Sequence, residues 1–157
     1  MTEPTLFLEN PLGSDVVMED ILDAFEFIDD WEERYAYIIE LGKKLPAFPE
    51  SEKVEANKVH GCQSQVWLIH YHRTEDDRHY FLLDSDALLV RGLAALILCM
   101  LNKKTAAEIR EVNVDSLFTR LDLFRHISPT RGNGLRAMLQ KMLGVALATT
   151  AVQRPPL

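Results

Sequence analysis

Between Ala87 and Leu101 the chain carries a single charge, Arg91, and is otherwise apolar nearly all round. A segment with no polar face to show to water predicts a helix buried on every side, at the centre of the fold. Its most apolar stretch, Leu93 to Leu101, falls well short of the roughly 20 residues that a membrane span requires. Such a helix needs other elements to cover it, and 157 residues of which 47% are apolar supply the material for one domain around one core.

The flanking sequence predicts what those covering elements are. Val17, Ile21, Ala24, Phe25 and Ile28 share one helical face. Asp30 and Glu33 have the spacing of a capping box ahead of a second helix, whose buried side carries Tyr35, Ile38, Ile39 and Leu45 and which Pro46 and Pro49 stop. Gln65 to Tyr71 and His79 to Leu83 are rich in strand-favouring residues around the turn-like Thr74-Glu75-Asp76-Asp77, the pattern of an antiparallel hairpin. Asp84-Ser85-Asp86 can cap the central helix; Thr105 with Glu108, and Asp115, can cap two shorter ones. Ser128-Pro129 opens a last helix with Leu135, Met138, Leu139, Met142, Leu143 and Ala146 on its buried stripe. The class is α+β, a small antiparallel sheet packed by N- and C-terminal helices. Residues 1–16 read as a flexible arm, 17–150 as the domain and 151–157 as a tail.

Composition removes several function classes. The net charge is −7 and the basic runs are as short as Lys43-Lys44 and Lys103-Lys104, whereas nucleic-acid binding needs clustered positive charge. The first sixteen residues hold no Lys or Arg and no apolar run of signal-peptide length, which predicts a cytoplasmic protein with no membrane partner. In that compartment Cys62 and Cys99 stay reduced.

The two cysteines have different surroundings. Cys62 lies in His60-Gly61-Cys62-Gln63-Ser64-Gln65, a polar stretch whose glycine permits unusual backbone angles, and Lys58 and His60 are placed to favour its thiolate. The same stretch is equally consistent with a loop cysteine that has no task. Cys99, inside Leu96-Ile97-Leu98-Cys99-Met100-Leu101, reads as a small core hydrophobe. His60, Cys62, His70 and His72 are a possible metal set, but their spacing matches no structural zinc pattern, and polar strand ends on a half-solvated sheet account for the histidines; no metal is expected. Asp84 and Asp86 are accounted for as caps. Arg131, in the first turn of the last helix, works against the macrodipole, so either a local or partner carboxylate holds it or it is simply a solvated arginine.

Trp31-Glu32-Glu33-Arg34-Tyr35, Tyr37-Ile38-Ile39-Glu40-Leu41-Gly42-Lys43-Lys44-Leu45-Pro46 and Gly61-Cys62-Gln63-Ser64-Gln65-Val66-Trp67 resemble, in that order, motifs of the SufE/CsdE family of sulfur-acceptor proteins. Asp84-Ser85-Asp86-Ala87 with Val90-Arg91-Gly92-Leu93, and Ser128-Pro129-Thr130-Arg131 with Gly134-Leu135-Arg136-Ala137-Met138, extend the likeness over roughly residues 17 to 145. The resemblance implies the α+β fold shared with the iron-sulfur scaffold IscU and a partnership with a cysteine desulfurase of the SufS or CsdA type, to which the pyridoxal phosphate belongs. This chain would itself need no cofactor. It further implies that Cys62 takes sulfane sulfur from the desulfurase persulfide, stimulates that enzyme by clearing its cysteine, and passes the sulfur to a downstream acceptor such as an iron-sulfur scaffold. Asp86 and Arg131 fall, by the same resemblance, where the partner docks or the cysteine loop is controlled; the loop residues His60, Gly61 and Gln63 are expected to share that role, although His60 departs from the family pattern. Asn10-Pro11-Leu12-Gly13 looks more like CsdE and Gly61-Cys62-Gln63-Ser64-Gln65 more like SufE, which leaves the choice of desulfurase open. Two other classes remain: a thiol-dependent redox protein, which would need a resolving thiol, and a metal- or cluster-binding scaffold, which would need more ligands.

Overall fold

A computed structural model describes residues 3–153, with side chains through residue 148. The chain runs through α1 (Pro4–Leu8), α2 (Met18–Phe27) and α3 (Trp31–Gly42), then two single 3-10 turns at Glu50–Glu52 and Glu55–Asn57. The hairpin β1 (Val66–Arg73) and β2 (Arg78–Ser85) follows, then α4 (Leu88–Leu101), β3 (Lys104–Thr105), α5 (Ala106–Glu111), α6 (Val114–Leu121) and α7 (Pro129–Gln153). The sheet is antiparallel in the order β1-β2-β3, with Val66 opposite Ser85 and Arg73 opposite Arg78.

The expected α+β architecture is the one observed. In α4 every residue from Leu93 to Leu101 is at most 3% exposed, because α3 and α7 cover it on the sides that the sheet leaves open. Val66, Leu68, Phe81 and Leu83 face this helix from the sheet, and Leu135, Met138, Leu139, Met142 and Ala146 close on it from α7. Two local signals act as their chemistry dictates. Thr105 Oγ1 accepts from Glu108 N at 3.2 Å while Glu108 Oε1 accepts from Thr105 N at 2.9 Å. Ser128 Oγ likewise accepts from Arg131 N at 3.2 Å at the start of α7.

Other local signals are diverted. Asp84 and Asp86 do not cap α4, whose N-cap is Ala87 without a side-chain bond; both aspartates bond to residues distant in sequence. Asn113, not Asp115, caps α6, through Oδ1 accepting from Ser116 N. Asp30 occupies the N-cap position of α3, but its side chain makes no capping bond. The sheet is not half-solvated either: Trp67, Ile69, Tyr80 and Leu82 on its second face pack with Phe7 and Phe48.

The arm expected to be flexible differs most. Phe7, Asn10 and Leu12 are 3%, 0% and 0% exposed, because the segment lays one aromatic ring on the sheet and is clipped by two buried asparagines. Asn10 Nδ2 donates to Phe81 O at 3.3 Å and Asn10 Oδ1 accepts from Leu12 N at 3.0 Å. Asn102 Oδ1 accepts from Phe81 N at 2.8 Å while its Nδ2 donates to Leu12 O at 2.8 Å. Of the expected tail, residues 151–153 continue α7 and residues 154–157 lie outside the described residues. Since Asn102 satisfies two buried backbone groups at once, Asn102→Ala should cost about 2 to 4 kcal/mol, read as a lowered urea midpoint with unchanged slope.

Candidate functional site

The loop that carries Cys62 is tied at both ends. On its entry side Val59 N donates to Val66 O at 2.9 Å, an extension of β1. On its exit side Gln65 N donates to Asp86 Oδ1 at 3.0 Å, and Asp86 N donates to Gln65 O at 3.3 Å, fixing the loop to the residue that leads into α4. Between these anchors Gly61 turns the chain at φ +95°, a conformation that a side chain would strain, and a Cβ there would also meet Ala137 on α7 at 3.3 Å.

This turn directs Cys62 toward α7. Its thiol donates to Gly134 O at 3.5 Å. The side chain is half-buried, and burial pushes the Cys62 thiol up from its ordinary value. Neither Lys58 nor His60 acts as the thiolate-favouring charge expected: both face Glu55, at 3.5 and 3.6 Å. The resting cysteine is therefore a protonated, sheltered thiol. Alkylation of Cys62 by iodoacetamide should be slower at pH 7 than that of free cysteine and should rise with pH through a midpoint above that of free cysteine. A pH-rate profile in a Cys99→Ala background checks this; a midpoint at or below that of free cysteine would contradict it.

Beside the sulfur lies a cavity of about 180 Å³. Val90 and Leu93 of α4 and Met138 of α7 give it apolar walls, while Ser64, Gln63 and Arg131 stand at its polar side. Arg131, Gly134 and Met138 reach one place because they are spaced at i, i+3 and i+7 on α7. The Arg131 side chain is exposed and makes no hydrogen bond or ion pair among the described residues. The structure thus brings Cys62, Gln63 and Arg131 around one cavity, with Gly61 as the turn and Asp86 as the loop anchor. His60 is turned away, with its side chain 76% exposed.

Several participants were not apparent from sequence. Gly134 contributes through its carbonyl, which no residue type advertises; its place in the Gly134-Leu135-Arg136-Ala137-Met138 motif and its spacing from Arg131 were the available signals. Asp84, read as a cap, is instead flanked by Lys53 at 3.3 Å and Arg91 at 3.2 Å, a charge cluster at the base of the loop. Cys99 is 3% exposed, and burial drives its thiol up to about 12, so it is inert. The set His60, Cys62, His70 and His72 does not converge. At a strand rise of about 3.3 Å per residue, His70 and His72 lie roughly 13 to 20 Å along β1 beyond Val66. There His70 Nε2 meets His79 Nδ1 at 2.9 Å, and burial, with His79 and His72 as neighbours, lowers the His70 imidazole to about 4.

Residues 19–146 match the family model described as SufE, Fe-S metabolism associated domain. The chain belongs to the SufE family. Among its relatives, a SufE-like protein of Rhizobium meliloti (strain 1021) is 44% identical over 128 residues, covering 80% of this chain and 91% of that one. The sulfur acceptor protein CsdE of Escherichia coli (strain K12) is 36% identical over 143 residues, covering 91% and 96%. The solution structure of a hypothetical protein from Thermus thermophilus shares the fold, with a TM-score of 0.59 at 19% identity over 87% of this chain and 99% of that one. The SufE-family segment contains the whole cysteine loop, Asp86 and Arg131, and among the described residues no helix is long and apolar enough to cross a membrane.

Proposed function

We propose that this SufE-family protein is a sulfur acceptor and carrier that receives sulfane sulfur on Cys62 from the persulfide of a pyridoxal-phosphate cysteine desulfurase and hands it on for iron-sulfur cluster assembly. The observation that carries the reading is the contrast between the cysteines: Cys62 on a glycine turn beside a cavity, Cys99 sealed in the core. The Cys62 sulfur attacks the terminal sulfur of the donor's Cys–S–SH, the new S–S bond forms as the old one breaks, and the donor thiolate leaves with the proton that Cys62 gives up. One persulfide is consumed and one formed, so no oxidant is needed, and the donor cysteine is freed for its next turnover. A reducing cytoplasm suits this exchange because it leaves both thiols unpaired.

The sheltered resting thiol gives the loop a definite task. To meet a donor persulfide, Cys62 must leave the carbonyl of Gly134 and turn outward about Gly61; on return, the cavity holds the terminal sulfur away from water and stray thiols. A peroxide-reducing thiol enzyme is less consistent, since the other cysteine is too buried to resolve an oxidised Cys62. Intact mass after incubation with a desulfurase, its pyridoxal phosphate and cysteine tests the reading: one added sulfur atom, removed by reductant, supports it, and an unchanged mass overturns it.

Arg131 is the exposed cation beside the cavity, suited to a carboxylate of the desulfurase or to the anionic persulfide. A charge-assisted hydrogen bond is worth about 1.5 to 3 kcal/mol, so Arg131→Ala should slow sulfur loading roughly ten-fold or more while leaving the unfolding midpoint unchanged. Loading at the normal rate would identify Arg131 as a solvated surface residue.

A further inference from the structure

At the end of the sheet remote from Cys62, His72 and His79 stand directly opposite one another in the β1–β2 register, their rings stacked with centroids 4.5 Å apart. Asp77, in the turn that joins the strands, adopts φ 59° and folds its carboxylate back so that Oδ1 lies 2.6 Å from His72 Nε2. One ligand atom from each of the three side chains lies within 4.8 Å of the other two. A tetrahedral zinc ion with bonds of about 2.0 to 2.1 Å holds its ligands about 3.3 Å apart, so these atoms must draw together and the stacked rings must turn until their in-plane lone pairs converge on one point.

A second observation points to a ligand. His72 has only 5% of its side chain exposed, yet its Nδ1 is buried without a hydrogen-bond partner among the described residues. Buried polar atoms are nearly always paired, so this open nitrogen, on a ring whose Nε2 already meets Asp77, needs an explanation. His70 supports the arrangement from outside: its contact of 2.9 Å with Nδ1 of His79 fixes that ring, as outer-shell partners of metal-bound histidines do. Three nearby cations are occupied elsewhere, while Lys104 stands opposite His79 in the β2–β3 register. Arg73 pairs with Asp76, Arg78 with Asp76 and Glu108, and Lys103 Nζ with Ser14. Asp77, 55% exposed, leaves a route from solvent.

We propose that His72, Asp77 and His79 form a binding site for one divalent transition-metal cation of the zinc class, with water completing its coordination. Two imidazoles and one carboxylate suit such a borderline ion and offer too few oxygens for calcium or magnesium. The ion would bind the two strands to their turn, a staple independent of the cysteine loop, and it departs from the sequence expectation of no metal.

The test uses chelator-stripped full-length protein in a Cys62→Ser background, so that the loop thiol contributes nothing. Titration with Co²⁺, followed by its visible absorption, and with Zn²⁺, followed by calorimetry, should saturate at one equivalent without a thiolate-to-cobalt charge-transfer band. Asp77→Asn, which keeps a residue tolerant of the left-handed turn, should weaken binding at least ten-fold with unchanged circular dichroism, and His72→Ala should abolish it. Absence of one-equivalent binding, a thiolate band, or equal affinity in Asp77→Asn would overturn the proposal. Should His72→Ala fail to fold, Asp77→Asn decides alone.

Discussion

Cys62→Ser will take up no sulfur from a charged desulfurase, and Cys99→Ala will load like the unaltered protein. The difference is chemical first: a serine hydroxyl is not ionised near neutral pH and cannot form a persulfide, so the loss is complete rather than graded. It is also positional. The Cys62 loop can open without disturbing the core, because its two anchors lie outside the turn, at Val59 with Val66 and at Gln65 with Asp86. Cys99 is packed in α4 with its thiol driven up to about 12, so a donor persulfide can neither reach nor ionise it. Removing that sulfur leaves a small cavity at a cost of roughly 1 kcal/mol. Cys62→Ser should unfold at the same urea concentration as the unaltered protein, since it loses only a 3.5 Å thiol contact to Gly134 O. Intact mass spectrometry reads both variants, and sulfur on Cys62→Ser, or its absence from a folded Cys99→Ala, would refute the assignment.

Gly92→Ala should be strongly destabilising for so small a change. A Cβ at Gly92 would lie 2.3 Å from Ile38 O and 2.7 Å from Ile38 Cγ2, while a Cβ at Gly42 would meet Gly92 N at 2.7 Å. The backbones of α3 and α4 touch here, so no side-chain rotation relieves the clash and one helix must move away. Overpacking of this kind costs about 1 to 3 kcal/mol and occasionally more, and contact with backbone puts Gly92→Ala at the upper end, about 3 kcal/mol. Alanine's better helix propensity, about 1 kcal/mol, offsets only part of this. For a chain of this length the melting temperature should fall by about 4 to 8 °C. Gly144→Ala is the control, because among the described residues nothing lies within 4 Å of a Cβ there and only the propensity gain remains. If Gly92→Ala melts with Gly144→Ala, the close approach of α3 and α4 is not what holds the helices together.

How much of the site was legible in the sequence depended on the range of the interaction. The polar, glycine-flanked setting of Cys62 and the apolar setting of Cys99 are properties of neighbouring residues, and their different burial follows. The electrostatics did not follow: Lys58 and His60 adjoin Cys62 in sequence, yet both side chains face Glu55, and burial alone sets the direction of the thiol's shift. Gly134 and Cys62 are seventy-two positions apart, and a backbone carbonyl carries no mark in sequence.

Periodicity determined α4 as the central element, since an uninterrupted apolar run can only be buried. It determined the β1–β2 hairpin through strand-favouring residues around a polar turn, and the starts of α5 and α7 through caps whose partners lie three residues away. Tertiary structure decided which polar groups those local signals could keep. Asp86 is free to cap until Gln65 is brought beside it, and Asp84 until Lys53 and Arg91 are. The N-terminal segment reads as an arm until Asn102, ninety positions from Leu12, supplies the bonds that bury it. A helix cap or a strand's alternation is satisfied within a few residues and is therefore written locally. A buried polar group must find its partner anywhere in the chain, and only the packed core settles where that partner is.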